Sequence, residues 1–425
     1  MRVLILNQAF YPDVVSTAQH AADLGCALAQ RGDQVTVIAS RRGYDDPSRR
    51  FSRTENWRGI RIVRITGTGL GKNARWRRAV DFASYLIACA WCVLWMPRQD
   101  AVIALTSPPL ISFLAGLMVP LKARQLIIWS MDLNPDEAIA AGWLRRDSIV
   151  ARLLLRMMTW SLRRAKSIIA LDRFMAARIA AKGIDAAKIA VIPPWTHEEA
   201  LHFTPEGRAR FRDQHGLAGK FVVMHSGNHS PCHPLGSVLD AATRLKHDKG
   251  IAFCFIGGGS EMARIKKTAA ERGLNNVVCL PYQPRQDLAA SLSSGDLHVV
   301  PMGNEFVGIV HPCKIYNLLA LGAPVLYLGP AISHITEIFA GGGPARAYSC
   351  RHEDIAGVMQ AIETERNGGN STCLQPSRAA DFFSRQRLVP GILALTLSDA
   401  RPAMSAGAET GFSRAGEALA AIGNE

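Results

Sequence analysis

Short apolar runs recur along this chain, separated by segments with a helical apolar period. Val3–Asn7 is the first run, and a helical period from about Thr17 to Gln30 follows it until Arg31 and Gly32 stop it. Val35–Ala39, Gly59–Ile65, Asp100–Leu105, Gln125–Ser130, Ser167–Leu171 and Ile189–Ile192 continue the series, with helical segments between them. Unbroken apolar runs suit strands covered on both faces, and their alternation with helices predicts a parallel, doubly wound α/β sheet. After Pro193 and Pro194, polar residues to about Gly219 read as a linker. The pattern then restarts at Phe221–His225 and repeats at Ala252–Ile256, Val277–Leu280, Leu297–Pro301 and Val325–Leu328. The expected organisation is therefore a domain over 1–195, a linker over 196–219 and a second domain over 220–375. A C-terminal helix over 376–400 is expected to follow, with a return to the first domain as one arrangement. Residues 401–425, rich in Ala, Gly and Glu, are expected to form a disordered tail. Two such domains would set a ligand cleft between two sheets, at the carboxyl ends of their strands.

Two apolar segments in the first half stand apart. Phe82–Met96 has 15 residues without charge, and Ala101–Leu121 has 21, interrupted by Pro108, Pro109 and Pro120. The first is short for a membrane span, and the second also fits a strand plus a buried helix. Charge adds to the picture. Residues 1–195 hold 28 Lys and Arg against 14 Asp and Glu, and residues 196–425 hold 21 against 21, so the whole net charge of +14 lies in the first half. That asymmetry implies an acidic partner: an anionic membrane surface, nucleic acid or a phosphorylated substrate. Arg75, Arg77 and Arg78 precede the first apolar segment and Arg98 follows it. Basic residues beside apolar helices predict a peripheral, surface-bound protein. The alternative is a pair of core helices with a solvated basic rim. Nucleic acid is disfavoured, because aromatic-interleaved strands, zinc knuckles and helix-turn-helix signals are absent from the sequence. MRVLILNQAF lacks the form of a signal peptide, so the chain is expected in the cytoplasm, on the inner face of the cell membrane. Nine cysteines without regular spacing fit reduced thiols. Cys89 and Cys92 lie inside an apolar helix without a second pair. His229, Cys232 and His233 cluster in a loop and could be read as a zinc site or as ordinary loop residues.

The candidate chemistry lies in the second half. In GIVHPCKIYNLLALGAPVLYL, residues 308–328, Pro312 leads into a short apolar helix with Lys314 at its start, and the helix ends at Gly322. A helix N-terminus offers free backbone N–H groups, and a Lys in its first turn adds a point charge for phosphate. The plain alternative is a surface lysine on an ordinary strand–helix–strand unit. Two further small-residue loops follow strands: Ser226, Gly227 and Asn228, and then Gly257, Gly258, Gly259 and Ser260. Small residues there let backbone N–H groups approach a phosphate. Neither loop is a G-x-G-x-x-G, and no G-x-x-x-x-G-K-[ST] occurs, which excludes a P-loop. Together the three loops predict a crevice for a nucleotide diphosphate.

At this point the chain resembles the retaining, GT-B-fold glycosyltransferases of family 4, in the subgroup that builds bacterial surface polysaccharides. The matching stretches are Tyr11-Pro12-Asp13, Arg31 to Ile38, Asp132-Leu133-Asn134-Pro135-Asp136, Ser226-Gly227-Asn228, Phe255 to Gly259, Leu280 to Pro284, Asp296 to Pro301, and Pro312-Cys313-Lys314-Ile315-Tyr316 through Val325. They cover about residues 1–395. The resemblance implies two Rossmann-like domains facing across a cleft, and hexosyl transfer from a nucleotide diphosphate sugar to a lipid-linked or polysaccharide acceptor. By position it gives Ser226, Gly227, Asn228, Gly257 and Gly258 to the donor diphosphate, Pro281, Tyr282 and Gln283 to the base, and Pro312, Lys314 and Asn317 to the donor helix. Asp132 would bind or orient sugar or acceptor as a catalytic residue beside Lys314. The loop holding Tyr11, Ser16 and Thr17 would close over the acceptor.

Three departures stand out. The family often carries two Glu residues eight positions apart, where this chain has Ile309 and Asn317. Asn317 can hydrogen-bond a hydroxyl without a carboxylate's charge. Ser16 and Thr17 stand where many members have two glycines, and His229 and Pro231 where many have a basic pair. Retaining transfer in this fold leans on the leaving phosphate, so positive groups at the diphosphate carry the chemistry. No D-x-D metal motif is present, and no metal or other cofactor is expected; Asp45 and Asp46 read as a turn. His20 reads as a cleft residue or as a solvated helix histidine. A GT-B sugar-nucleotide epimerase and an inactive sugar-nucleotide-binding scaffold remain alternatives.

Overall fold

The computed structural model describes residues 1–44, 46, 48–70, 75–196, 201–368 and 374–397. They form two compact units. One takes residues 1–196, Gly308–His311 and the last described helix, Arg385–Leu397. The other takes the described residues between Leu201 and Val307 and from Pro312 to Ser384.

The first unit is an eight-stranded sheet. Its strands are β1 (Arg2–Leu6), β2 (Gln34–Ser40), β3 (Thr54–Trp57), β4 (Ile60–Ile65), β5 (Gln99–Ala104), β6 (Ala123–Trp129), β7 (Ser167–Ala170) and β8 (Ile189–Val191), in the order β3-β4-β2-β1-β5-β6-β7-β8. From β1 the chain runs outward both ways, so β1 and β5 flank a topological switch point. Val3 to Leu6 are at most 1% exposed, as a central parallel strand requires. The sheet is not wholly parallel, as the apolar runs predict. β3 pairs antiparallel with β4 through a turn at Arg58 (φ 49°) and Gly59 (φ 81°). Its sequence, TENW, is too polar to register as a strand, whereas the two-residue turn is a recognisable hairpin device.

The helices of this unit are α1 (Ser16–Gln30), α2 (Arg75–Leu94), α3 (Ile111–Lys122), α4 (Asp136–Ala140), α5 (Ile149–Arg164) and α6 (Arg173–Ala180). The apolar run Ala101–Leu121 is divided between β5 and α3, and no described helix is long and apolar enough to cross a membrane. The last helix is tied to this unit: Arg31 donates to the Leu393 carbonyl (2.9 Å) and to Thr396 Oγ1 (2.8 Å), and Gln125 donates to the Thr396 carbonyl (2.7 Å).

The second unit begins with α7 (Pro205–Gln214), inside the stretch that reads as a linker. Its polar sequence hides it, although Pro205 occupies the first helical turn, where proline is tolerated. Arg208 and Arg212 of α7 both pair with Asp296, whose Oδ2 also accepts the Val222 N–H at 2.7 Å. A buried carboxylate held by two guanidiniums thus fixes α7 to the sheet. The strands are β9 (Phe221–Asn228), β10 (Ile251–Gly258), β11 (Val277–Leu280), β12 (Leu297–Pro301), β13 (Val325–Leu328) and β14 (Ala347–Cys350), all parallel, in the order β11-β10-β9-β12-β13-β14. The helices are α8 (Gly236–Arg244), α9 (Met262–Glu271), α10 (Leu288–Ser293), α11 (Lys314–Leu321), α12 (His334–Ala340) and α13 (Ile355–Gly368). β14, an edge strand with half its residues exposed, carries no apolar run. Residues 401–425 and Asp45 lie outside the described residues.

Candidate functional site

The glycine stretches expected as loops are the ends of two paired strands. β9 continues through Ser226, Gly227 and Asn228, and β10 through Gly257 and Gly258, in register Ser226 with Ile256, Gly227 with Gly257 and Asn228 with Gly258. Glycine is needed at two of these positions. Gly227 (φ 138°) leaves room for Lys314, whose Nζ would lie 3.2 Å from a Cβ there. Gly257 (φ 131°) leaves room for the Gly227 carbonyl oxygen, 2.0 Å from where its own Cβ would fall. No L side chain fits either conformation without strain.

Lys314 opens α11, which follows Pro312 and ends at Gly322 in the left-handed conformation. The lysine reaches the end of β9, where its Nζ lies 3.0 Å from His225 Nε2. Burial pushes its ammonium down to about 7, only slightly opposed by Cys313. His225 is buried, and burial, followed by the charge of Lys314, holds its imidazole well below the ordinary range. His229 and His233 stand near, with ring centroids 4.8 and 6.4 Å from that of His225. Burial and Lys314 lower these too, to about 4 and about 3. The histidines are therefore neutral at pH 7, and Lys314 is the one member of the group that titrates near there. His229 replaces the expected basic pair without supplying charge.

Tyr282 covers this edge: Cβ atoms at Gly257 and Gly258 would come within 3.3 and 3.0 Å of its ring. Pro281 is exposed, and Gln283 donates to the Pro281 carbonyl at 2.8 Å. Asn317 lies one turn after Lys314 on α11. Ser226, Gly227, Gly257, Gly258, Tyr282 and Lys314 are thus gathered at one strand edge. His225 belongs with them, and sequence reasoning missed it; a histidine ending the apolar run Phe221–His225 was the available signal. His229, Cys232 and His233 do not converge on a metal position, since they form no metal-ligating cluster among the described residues. The His233 ring turns instead to the Pro301 carbonyl, 3.0 Å away.

In the first unit Asp132 follows β6. Burial, with Glu137 adding, raises its carboxyl to about 8. Pro135 stands at the cap position of α4, which has no side-chain cap. The neighbouring Leu133 N–H donates to the Ile309 carbonyl at 2.9 Å. Residues 308–311, expected within the second domain, therefore pack in the first unit. His311 Nδ1 lies 2.7 Å from Asp172 Oδ2, while the other oxygen of Asp172 caps α6 through Met175. Tyr11 stacks on Trp57, with centroids 4.1 Å apart. Ser16 and Thr17 open α1. His20 is neither solvated nor a free cleft group: it is buried, its Nδ1 reaches the Ser16 carbonyl (2.8 Å), and its Nε2 accepts the Trp195 N–H (3.3 Å). A cavity of about 90 Å³ opens beside α2, lined among others by Gln8, Ser40, Arg42, Tyr44, Arg78 and Tyr85. The buried Nε of Arg42 there has no hydrogen-bond partner among the described residues. Arg42 was not singled out from the sequence, whereas Arg78 belongs to the basic cluster that precedes the first apolar segment.

Comparison with known proteins follows the same division. A glycosyl transferase 4-like domain matches residues 17–195, and the glycosyl transferases group 1 family matches residues 207–328. WcaI of Escherichia coli K12, assigned to glycosyl transfer in colanic acid biosynthesis, is 23% identical over 382 residues, 85% of this chain and 92% of its own length. WbjE of Pseudomonas aeruginosa, assigned as a glycosyltransferase, is 27% identical over 266 residues, 63% of this chain and 66% of its own. Among solved structures, Anabaena HepE in complex with UDP and glucose superposes with a TM-score of 0.69 at 16% identity, over 94% of this chain and 100% of that one.

Proposed function

We propose that this chain, whose two halves match glycosyl transferase family models, is a glycosyltransferase of the GT-B fold that moves a hexosyl group, with retention, from a nucleoside diphosphate sugar to a lipid-linked or polysaccharide acceptor in the building of a cell-surface polysaccharide. The observation that carries the donor assignment is Lys314 beside the glycine-bent ends of β9 and β10. A lysine whose ammonium is destabilised by burial gains most when a diphosphate arrives, because the anion replaces the lost water. HepE was crystallised with UDP, which supports a nucleotide-linked donor. As the sugar–phosphate bond breaks, charge grows on the leaving diphosphate, and Lys314 with the first turn of α11 stabilises it there. This step needs no metal. Tyr282 frames the base and Asn317 a sugar hydroxyl. Asp132, protonated at neutral pH, can donate a hydrogen bond and orients the acceptor hydroxyl. The cavity edged by Arg42 and Arg78 is suited to an anionic acceptor group.

The colanic acid role assigned to WcaI supports the cell-surface setting, and the basic first half supports a membrane-borne acceptor. No observation favours the epimerase or the scaffold. The test is product analysis with purified protein, UDP-, GDP- and ADP-hexoses and a polyprenyl-diphosphate-linked sugar. A glycosylated lipid product supports the reading. Altered free sugar nucleotide without transfer, or efficient transfer to a soluble sugar with no preference for the lipid, contradicts it.

A further inference from the structure

α2 is apolar on two opposite faces. Tyr85, Cys89 and Val93 are at most 2% exposed and belong to the core of the first unit. The opposite face meets solvent. At about 100° per residue, Trp76, Val80, Ile87, Trp91 and Leu94 fall within a stripe about 60° wide, and Trp95 widens it at the end of the helix. Ile87 is 71% exposed, Trp91 64% and Trp95 75%. The stripe runs the length of the helix, roughly 28 Å at 1.5 Å per residue. α3 packs beside α2, and Lys122 Nζ donates to the Met96 carbonyl at 3.0 Å. Leu121, next to Lys122 on α3, is exposed as well. A helix that is apolar all round needs both faces covered, and a contiguous apolar patch of this kind marks an interaction surface.

We propose that this face lies flat on an anionic membrane leaflet, with Trp91 and Trp95 seated at the boundary between headgroups and acyl chains. Charge identifies the occupant. Exposed Arg77 stands beside one end of the stripe and exposed Arg98 and Arg124 at the other, and the net +14 of the chain lies wholly in residues 1–195. Arginines at both ends of an apolar stripe with interfacial indoles match lipid phosphates around a greasy interior. A second copy fits worse, since pairing α2 with α2 would set arginine against arginine at each end. The face deepens the lipid-linked acceptor reading and takes its biological meaning from it, but vesicle binding is measured without donor or acceptor, so the two can fail separately.

The experiment is flotation of the full chain with vesicles of phosphatidylcholine alone and of equal parts phosphatidylcholine and phosphatidylglycerol. The protein should float with the mixed vesicles and far less with the neutral ones. The Trp91→Ser/Trp95→Ser variant should bind about tenfold or more weakly with an unchanged melting temperature. The Arg77→Gln/Arg98→Gln variant should lose binding mainly at low salt, because salt already screens those charges. Brominated lipids should quench wild-type tryptophan fluorescence more than that of the double tryptophan variant. Absence of flotation, or equal flotation of the tryptophan variant, overturns the proposal. So does a concentration-dependent dimer that the tryptophan variant abolishes in protein that binds no vesicles.

Discussion

Lys314 Nζ lies 3.0 Å from His225 Nε2, while Nδ1 of the same ring lies 3.0 Å from the Val299 carbonyl. A carbonyl can only accept, so Nδ1 carries the proton and Nε2 presents a lone pair to the lysine. One lysine N–H is thus committed to the ring and the others remain for a ligand.

Donor binding should therefore depend on pH in one direction. The free Lys314 ammonium titrates at about 7, and His225, His229, His233 and Cys313 are the titratable groups nearest it. The three histidines, all held well below the ordinary range by burial and by Lys314, stay neutral, so above pH 7 a bound diphosphate must draw a proton onto the lysine. Affinity for a nucleoside diphosphate sugar should be flat below pH 7 and fall up to about tenfold per pH unit above it. Calorimetry in buffers of different ionisation enthalpy should show proton uptake on binding above pH 7. A profile flat from pH 6 to 9 would remove Lys314 from the donor contact.

His225 should act through Lys314. His225→Leu removes the acceptor that favours the ammonium, so the pH midpoint should move lower and donor affinity at pH 7.5 should fall. His225→Gln keeps an acceptor and should restore most of the loss. Equal behaviour of the two variants would make the contact merely structural.

Asp132 supports a paired prediction. Its folded carboxyl titrates at about 8 against an ordinary 3.8, so the native state holds a proton that the unfolded chain releases between those values. Stability should fall as pH rises from about 4 to 8 on this account. Asp132→Asn mimics the protonated form and should remove that slope. If Asp132 orients the acceptor, the variant should lose turnover far more than donor affinity. A fully active variant would take this residue out of the site.

Much of the fold was legible because a parallel sheet buries strands on both faces and writes them as apolar runs: Val3–Asn7, Val35–Ala39 and Leu297–Pro301 each coincide with a strand to within a residue or two. The elements that escaped are those stabilised by something other than apolar burial. β3 is a polar edge hairpin, α7 is held by Arg208, Arg212 and Asp296, and β14 is a half-exposed edge. In the candidate site, Lys314 and the glycines were legible because an unusual residue type sits at a strand or helix end. His225 was not, since nothing in the sequence says that a residue at the end of β9 meets one at the start of α11. The packing of residues 308–311 in the first unit is likewise a tertiary outcome with no local signature.

Gly257→Ala should be costly. Its φ of 131° strains any L residue, and the new Cβ would fall 2.0 Å from the Gly227 carbonyl oxygen. Strain alone is worth about 1–3 kcal/mol, and the clash adds to it. Gly142→Ala provides the contrast, with φ 69° and nothing within 4 Å of the added Cβ; it should cost only the left-handed backbone strain, about 1–2 kcal/mol. Urea unfolding of the two variants checks the difference. Equal costs would mean that the paired ends of β9 and β10 yield easily.

The central claim is that a nucleoside diphosphate sugar binds through Lys314, and titration calorimetry of UDP-, GDP- and ADP-glucose into wild type and Lys314→Ala at pH 6.5 tests it most directly. A charge-assisted contact is worth roughly 1.5–3 kcal/mol. At least one ligand should bind the wild type, and the variant, folded by circular dichroism, should bind it about tenfold or more weakly. Unchanged affinity in the variant would contradict the account.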